Sequence, residues 1–331
     1  MRSSTRNSVA AAVGGLLLAL AAAPSAQDNW RPHLKALPAN VITPAKTAEG
    51  WPDLQGAWNV VQRIGGPQHS LEYGIDPEAT SIHAWNPAAR EGSVVIDPPD
   101  GRIPYTAAAR ERRNRNLEGV YIPTKRSHLD PEVRCLLGGV PRGTLQGTEI
   151  RYAPPYVAFV SIGRTSDQSF TRLIPMDGRP WPNEQLKLWR GISRGRWDGS
   201  TLVVETRNQN DKTWFDSHGS FHSDQLRVVE RLTLVDADTL YYEATIIDPA
   251  VFTQPWKIAT TWDRTKGEDR LWEEGCHEGE RDSYHMLEAG LRAAKAGYKG
   301  IHEHHAPDSG KGTFAPVVTD EPAKSREELF K

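Results

Sequence analysis

The sequence has few cysteines, almost no net charge and, beyond residues 1–26, no long apolar run. Its two cysteines are too few for a disulfide-rich scaffold or for a zinc site of four thiolates. The 40 basic residues are balanced by 42 acidic ones, which argues against a nucleic-acid-binding protein that relies on phosphate contacts. The missing apolar runs exclude an integral membrane protein built from helices. We therefore expect a globular protein whose partner is a small-molecule ligand or substrate.

The sequence also lacks the short motifs of common cofactor sites and catalytic sites. It contains no phosphate-binding loop, no dinucleotide fingerprint and no His-Glu-x-x-His zinc pair. We accordingly predict no cofactor and no metal. Three ligands could in principle come from His222, Asp224 and either Glu230 or His277, but their spacing matches no established metal site. The oligomeric state stays open.

Residues 1–26 have the pattern of a secretory signal peptide. A short basic start precedes a small-residue and leucine-rich stretch from Ser8 to Ala23, and residues suited to signal peptidase follow. The pattern predicts a periplasmic or secreted protein with no membrane attachment after cleavage; a retained membrane anchor is the alternative. In an oxidising compartment Cys135 and Cys276 can form a disulfide, and the alternative is a pair of buried thiols.

The first half of the predicted mature chain contains little regular structure. Residues 27–50 are polar and interrupted by proline, which indicates an extended lead-in arm, and residues 53–61 form the first expected strand. Residues 62–147 are predicted to be a long irregular insertion. Within that insertion, residues 106–116 are expected to form a short helix, because Thr106 can cap it and alanine and arginine favour helix. Its arginines are expected to form a solvated face.

From about residue 148 the pattern becomes that of an antiparallel meander. Strands and hairpins are predicted over residues 156–162, 169–174, 195–206, 226–235, 239–247, 256–263 and 270–276. Short turns without crossover helices favour antiparallel neighbours, and an open sheet of this size would leave adhesive edges. We therefore predict a mainly β, up-and-down barrel of about 8–10 strands in one domain over residues 51–298. A helix over residues 283–299 and a polar tail over residues 299–331 complete the prediction.

Several segments carry a resemblance to a known family. Gly56-Ala57-Trp58 is similar to the Gly-x-Trp start of lipocalin-type barrels, where the tryptophan closes one end. The longer string is formed by segments 99–105, 130–135, 174–179, 195–206 and 275–279 in this order. Together they resemble a large family of exported bacterial proteins of unassigned function, over about residues 51–298. The resemblance implies a lipocalin-like barrel and export; it brings no activity and no catalytic residues.

One predicted strand places a carboxylate among aliphatic side chains. Leu226, Val228, Leu232 and Leu234 share a face by strand alternation, and Glu230 lies on that same face. A carboxylate there needs an ion pair or a cavity. In a cavity, desolvation would raise its pKa toward the range of a general acid or base. The alternative is a structural ion pair with an arginine of the barrel, for which the candidates are Arg172, Arg196 and Arg231.

A dense polar loop precedes this strand and is predicted to lie at the mouth of the barrel. We predict catalytic roles for His222, Asp224 and Glu230, because an imidazole oriented by a carboxylate can move protons. Tryptophan rings and polar groups would contact a ligand. The predicted ligand-binding residues are Trp197, Asn208, Asn210, Lys212, Trp214, Asp216, Arg179 and Glu243. The alternative is a polar connector whose Asn and Asp side chains satisfy turns.

Two functions from different classes follow from these features. The first is an exported barrel that binds a small apolar or aromatic molecule in its interior, with acid/base chemistry there as an open alternative. The second is a cofactor-independent periplasmic hydrolase, lyase or isomerase that uses His222, Asp224 and Glu230. A third, an interaction module of the cell envelope, has only the arginine-rich segment 110–115 to support it.

Overall fold

The computed structural model describes residues 33–60, 70–72, 75, 92–161, 171–266, 276 and 281–298. The predicted signal peptide, the polar tail, His277 and the predicted strand residues 270–275 lie outside these ranges. The described residues contain ten strands: β1 Gly56–Val60, β2 Val95–Asp97, β3 Thr148–Ala153, β4 Tyr156–Ser161, β5 Thr171–Pro175, β6 Ile192–Asp198, β7 Thr201–Arg207, β8 Arg227–Asp236, β9 Thr239–Ile247 and β10 Trp256–Arg264. The helices are α1 Ala107–Tyr121 and α2 Asp282–Lys295, with short 3-10 turns at Arg126–His128 and Arg142–Gln146. Neither of these helices is long and apolar enough to span a bilayer.

The strands form one antiparallel sheet that curls into a nearly closed barrel, as the sequence predicts. Neighbours follow the order β5-β4-β3-β1-β10-β9-β8-β7-β6, and β2 pairs separately with β10. The order is an up-and-down meander that β1 and β10 join into a ring. Two-residue turns connect β6 to β7 and β8 to β9, where Asp198 pairs with Thr201 and Asp236 pairs with Thr239. Gly199 supplies the positive φ, +59°, that the first of these turns requires.

The ring closes at a seam between β5 and β6. Nine strands remain in the ring once β2 is set aside, and every neighbouring pair along the path is antiparallel. Because the number of strands is odd and each runs opposite to its neighbour, β5 and β6, at the two ends of the order, run in the same direction. In the described residues no backbone ladder joins β5 to β6, although the two lie side by side. Gly195 of β6 permits this approach, because a Cβ there would meet Ile174 and Met176 from the β5 side.

Trp58, the tryptophan of the Gly-x-Trp segment, is held in place on β1 by several contacts. Its indole Nε1 donates to the carbonyl oxygen of Leu54 at 3.0 Å, and the side chain is fully buried. The guanidinium of Arg264 lies 4.1 Å from the Trp58 ring centre. Gly56 leaves space for that guanidinium, since a Cβ at this position would collide with it. The arrangement is compatible with a lipocalin-like fold.

The insertion packs against the barrel and is more ordered than predicted. β2 was expected to be irregular; its three residues are too few for a period-2 pattern, yet they pair with β10. α1 begins as predicted, with Thr106 Oγ1 accepting from the Ala109 amide at 3.3 Å. It ends at Tyr121 rather than at Asn116, immediately before Ile122 and Pro123, where proline disfavours further helix.

The C-terminal helix is confirmed but is shorter than predicted. α2 ends at Lys295 because Gly297 adopts a positive φ of +86°, which terminates the helical turn. The predicted disulfide between Cys135 and Cys276 is present, with Cα atoms 5.7 Å apart. Ser283 Oγ of α2 donates to the carbonyl oxygen of Val133 at 3.0 Å. The disulfide and α2 therefore both attach to the chain around residue 135.

Candidate ligand pocket

A pocket of about 510 Å³ lies where the insertion meets the polar loop of residues 208–225. This volume is in the range of small-molecule sites. Three segments of the insertion, the connection between β5 and β6, and the polar loop contribute its walls. The lining residues are Arg112, Arg115, Asn116, Lys125, Ser127, His128, Arg134, Leu136, Trp189, Asp211, Lys212 and Trp214.

α1 presents one face to the core and another to the pocket. Ala109, Arg113 and Leu117 are buried, in agreement with a helical repeat of three to four residues. Burial of Arg113 corrects the expectation that all arginines here form a solvated face. Arg112 and Arg115 are exposed on another face, where they line the pocket. The helix thus divides its arginines between the core and the cavity.

The polar loop is held against α1 by a close backbone contact. Asn116 Nδ2 donates to the carbonyl oxygen of Gly219 at 3.0 Å. Gly219 has φ +83°, and a Cβ at this position would meet Asn116 at 2.5 Å. Glycine is therefore required here for both conformation and space. Lys212 and Trp214 of this loop line the same pocket as α1.

Most of the predicted ligand-binding residues of this loop have structural partners and do not line the pocket. Asn208, at φ +61°, donates through Nδ2 to two backbone carbonyl oxygens, at 2.9 and 3.0 Å. Asn210 Oδ1 accepts from the amide of Lys212 at 3.1 Å. Asp216 is buried and accepts from the amides of Leu71, His218 and Ser220. These side chains determine the loop conformation, and Lys212 and Trp214 face the cavity.

The pocket is strongly basic, and most of its cations lack an anionic partner. Within the described residues, the side chains of Lys125, Arg134 and Lys212 make no hydrogen bond or ion pair. The guanidinium carbon of Arg112 lies 4.0 Å from the centre of the Phe221 ring. This stacking covers one face of the guanidinium but supplies no negative charge to balance it. Arg115 has only a solvent-exposed contact with Glu111 at 3.6 Å. Asp211 is the only acidic side chain among the lining residues.

Two lining groups are affected by burial. Desolvation lowers the pKa of Arg134, whose Nε is buried without a hydrogen-bond partner. Arginine stays charged despite such a shift. Desolvation, followed by the charge of Lys125, lowers the pKa of His128. Its Nδ1 accepts from the Thr124 amide at 3.4 Å, and its ring packs against Gly119 of α1. His128 is therefore neutral at neutral pH.

Glu230 forms an ion pair with Arg172 in the barrel interior. This is the second of the two arrangements predicted for Glu230, a structural ion pair rather than an unpaired carboxylate in a cavity. Glu230 is fully buried, and its two oxygens accept from Nη1 and Nη2 of Arg172. Tyr242 donates to Glu230 Oε1 at 3.0 Å, and burial, followed by the charge of Glu230, raises the pKa of Tyr242 well above its usual value. The other candidates lie elsewhere: Arg196 is exposed, and Arg231 pairs with Asp198.

Arg172 also connects the strands around the seam. From β5 its Nε donates to Ser193 Oγ of β6 at 2.8 Å, and its Nη2 donates to Thr206 Oγ1 of β7 at 2.6 Å. Its Nη1 reaches Thr144 Oγ1 of the insertion at 3.2 Å. With Glu230 on β8, one guanidinium thus links four strands and the 3-10 turn at Arg142–Gln146.

The three predicted catalytic residues have separate surroundings. His222 is buried; its Nε2 lies 2.6 Å from Thr213 Oγ1, its Nδ1 lies 2.8 Å from the Ser223 carbonyl oxygen, and burial lowers its pKa. Asp224 is exposed, with Lys187 Nζ 3.7 Å away. Within the described residues, no hydrogen bond or ion pair connects His222, Asp224 and Glu230 with one another, and no group of His, Cys, Asp or Glu is arranged to hold a metal. Catalysis by these three residues stays a prediction.

The remaining predicted ligand-binding residues lie away from the pocket. Trp197 contacts Trp51 and Tyr152, with ring centres 6.5 and 6.2 Å away. Arg179 pairs with Asp177 on the surface. Glu243, at a β9 position that is not fully buried, accepts from Lys257 Nζ at 3.1 Å. None of these three side chains is among the lining residues.

Sequence reasoning missed most of the pocket. The detectable signal was on α1, where Arg112, Arg115 and Asn116 recur at a spacing of three and four residues and so share one helix face. The other walls come from short irregular segments and give no periodic signal. Comparison with known protein families, with curated proteins and with solved structures found no match to this chain.

Proposed function

We propose that this protein binds a small anionic molecule in the basic pocket. The observation that carries the proposal is the set of cations around one cavity, of which Lys125, Arg134 and Lys212 make no ion pair within the described chain. Two arginines buried elsewhere are neutralised by carboxylates: Arg142 contacts Asp130 and Glu132, and Arg172 contacts Glu230. An anionic ligand would supply the missing charge, and partial desolvation would strengthen each contact.

The proposal places the ligand beside the barrel rather than in its interior. The interior positions of the described strands carry the Arg172–Glu230 pair and large side chains such as Tyr242 and Trp262, which stack with ring centres 5.0 Å apart. These groups fill space and satisfy one another. In this proposal the barrel is a rigid support that fixes the insertion and the polar loop, and the ligand binds between those two segments.

We further propose that binding takes place in the periplasm or outside the cell. The disulfide between Cys135 and Cys276 supports an oxidising compartment, because cytosolic thiols are normally kept reduced. The N-terminal pattern and the resemblance to exported proteins point to the same compartment. Secretion of the mature chain by a producing bacterium, detected as cleavage of the N-terminal segment by mass spectrometry, tests this proposal.

Removing pocket charges should weaken anion binding. We expect the double variant Lys125→Gln/Lys212→Gln to bind trimesate, a benzene ring with three carboxylates, roughly tenfold or more weakly than the parent. Both lysines are exposed, so the fold should be unaffected. Isothermal titration calorimetry gives the affinity. The matched control is Lys257→Gln/Arg231→Gln, which removes two cations outside the pocket; an equal loss of affinity in this control would contradict the proposed site.

Anion binding should also strengthen as the pH falls. The pKa of His128 is lowered from the usual 6.5, so the ring is neutral at neutral pH and gains a proton only in more acidic solution. The neighbouring cations oppose that proton and a bound anion favours it, so protonation adds one positive charge to the occupied pocket. We expect affinity for benzene disulfonate, whose charge is constant over this range, to rise roughly threefold to tenfold on acidification.

The variant His128→Gln serves as the control for this pH dependence. Glutamine keeps a hydrogen-bonding side chain at the position but cannot gain a proton. We expect its affinity for benzene disulfonate to be nearly constant from mildly alkaline to mildly acidic pH. An unchanged pH dependence in this variant would mean that another group is responsible.

A further inference from the structure

The two tryptophans of the pocket differ from the other tryptophans that the structure describes. Trp189 and Trp214 line the cavity, and neither has an aromatic or cationic partner within the described chain. Each other described tryptophan contacts a second ring or a guanidinium; these are Trp51, Trp58, Trp181, Trp197, Trp256 and Trp262. The indoles without partners therefore occur in the same cavity as the cations without partners.

The burial of these two side chains explains how they can serve a ligand. Trp214 is 9 % exposed and packs in the hydrophobic core, while part of it borders the pocket. Trp189 is half-buried on the connection between β5 and β6. The two rings do not contact each other, so each can contact a third group. Leu136 adds an apolar surface to the same wall.

We infer that the ligand is an aromatic anion, with a flat ring that contacts the indoles and with acidic groups at its edge. This inference rests on the proposed anion-binding function and narrows its ligand class. Purely aliphatic anions would use the cations alone and leave the indole surfaces exposed to water. An aromatic ring with carboxylates in its plane satisfies both, because its faces meet indole while its edge reaches guanidinium and ammonium groups.

The test compares two acids that differ only in the ring. Trimesate and cyclohexane tricarboxylate of the same substitution pattern carry the same charge at neutral pH and have similar size. We expect the parent protein to bind trimesate roughly fivefold to tenfold more tightly, the gain typical of aromatic contacts. In the variant Trp189→Leu this preference should fall to about twofold or less, with affinity for the saturated acid retained. Trp189→Phe should keep most of the preference.

The control variant is Trp181→Leu, which removes a half-buried indole placed between Arg194 and Arg207 outside the pocket. It should keep the full preference for the aromatic acid. Equal affinities of the parent for the two acids would overturn the aromatic inference and leave anion binding intact. Failure of the parent to bind either acid would instead contradict the proposed function and, with it, this inference. Loss of the preference in Trp181→Leu as well would show that the effect does not arise in the pocket.

Discussion

The variant Arg172→Met is expected to lower the free energy of unfolding by about 3–5 kcal/mol. Methionine cannot replace the guanidinium hydrogen bonds to Glu230, Ser193, Thr206 and Thr144. It leaves the Glu230 carboxylate without a counter-ion in a position that is 0 % exposed. The intact ion pair contributes little net stability, because its attraction is largely cancelled by the desolvation of both charges. Most of the expected loss therefore comes from leaving the Glu230 carboxylate buried without a counter-ion.

Urea denaturation followed by tryptophan fluorescence measures this change. Arg231→Met is the matched control, because Arg231 is next to Glu230 on β8 but pairs with Asp198 at the surface; we expect a loss of about 1 kcal/mol or less. The double variant Arg172→Met/Glu230→Leu should recover a large part of the stability, because it removes both charges. If the double variant were as unstable as Arg172→Met, the unpaired carboxylate would not be the cause.

Removal of the disulfide should have an effect of similar size on stability and a second effect on binding. Cys135 and Cys276 are separated by 141 residues, and closing a loop of this length restricts the unfolded chain by about 4–5 kcal/mol in the chain-entropy account. We expect the variant Cys135→Ser/Cys276→Ser to lose about this amount of unfolding free energy. The measurement is the urea midpoint of parent and variant without reductant.

The binding effect follows from the position of the disulfide beside the pocket. Arg134 and Leu136, on either side of Cys135, both line the cavity, and Cys135 itself holds a positive φ of +55°. Without the covalent link this strained residue can relax, and its neighbours would move with it. Trimesate should therefore bind the folded variant more weakly than the parent. A reductant should weaken binding by the parent and leave the serine variant unchanged; equal sensitivity of both proteins would exclude the disulfide as the cause.

The barrel could be predicted from the sequence because its signals are local. Alternation along Val228, Glu230, Leu232 and Leu234 identifies the buried face of β8 without knowledge of its neighbours. The Asp198-Gly199 turn determines the β6–β7 hairpin in the same way. The disulfide followed from there being only two cysteines and from the predicted compartment. Each of these features can be predicted from the sequence of a single strand or from a single pair of residues.

The pocket could not be predicted in this way because its walls are brought together only by tertiary structure. Lys125, Arg134 and Trp189 belong to irregular segments, and no spacing in the sequence relates them to Lys212. The polar loop was recognised as unusual, but its composition does not distinguish Asn208 and Asp216, which bond to the backbone, from Lys212 and Trp214, which line the cavity. Only the positions of the backbone amides make that distinction.

The odd count of described strands has a consequence for what holds the ring together at its seam. Around most of its circumference, amide hydrogen bonds fix the spacing of adjacent strands at about 4.8 Å. At the β5–β6 junction this distance depends on Gly195 packing and on the reach of the Arg172 side chain. Among the described strands, side chains rather than backbone pairing therefore determine the width of the wall at this joint.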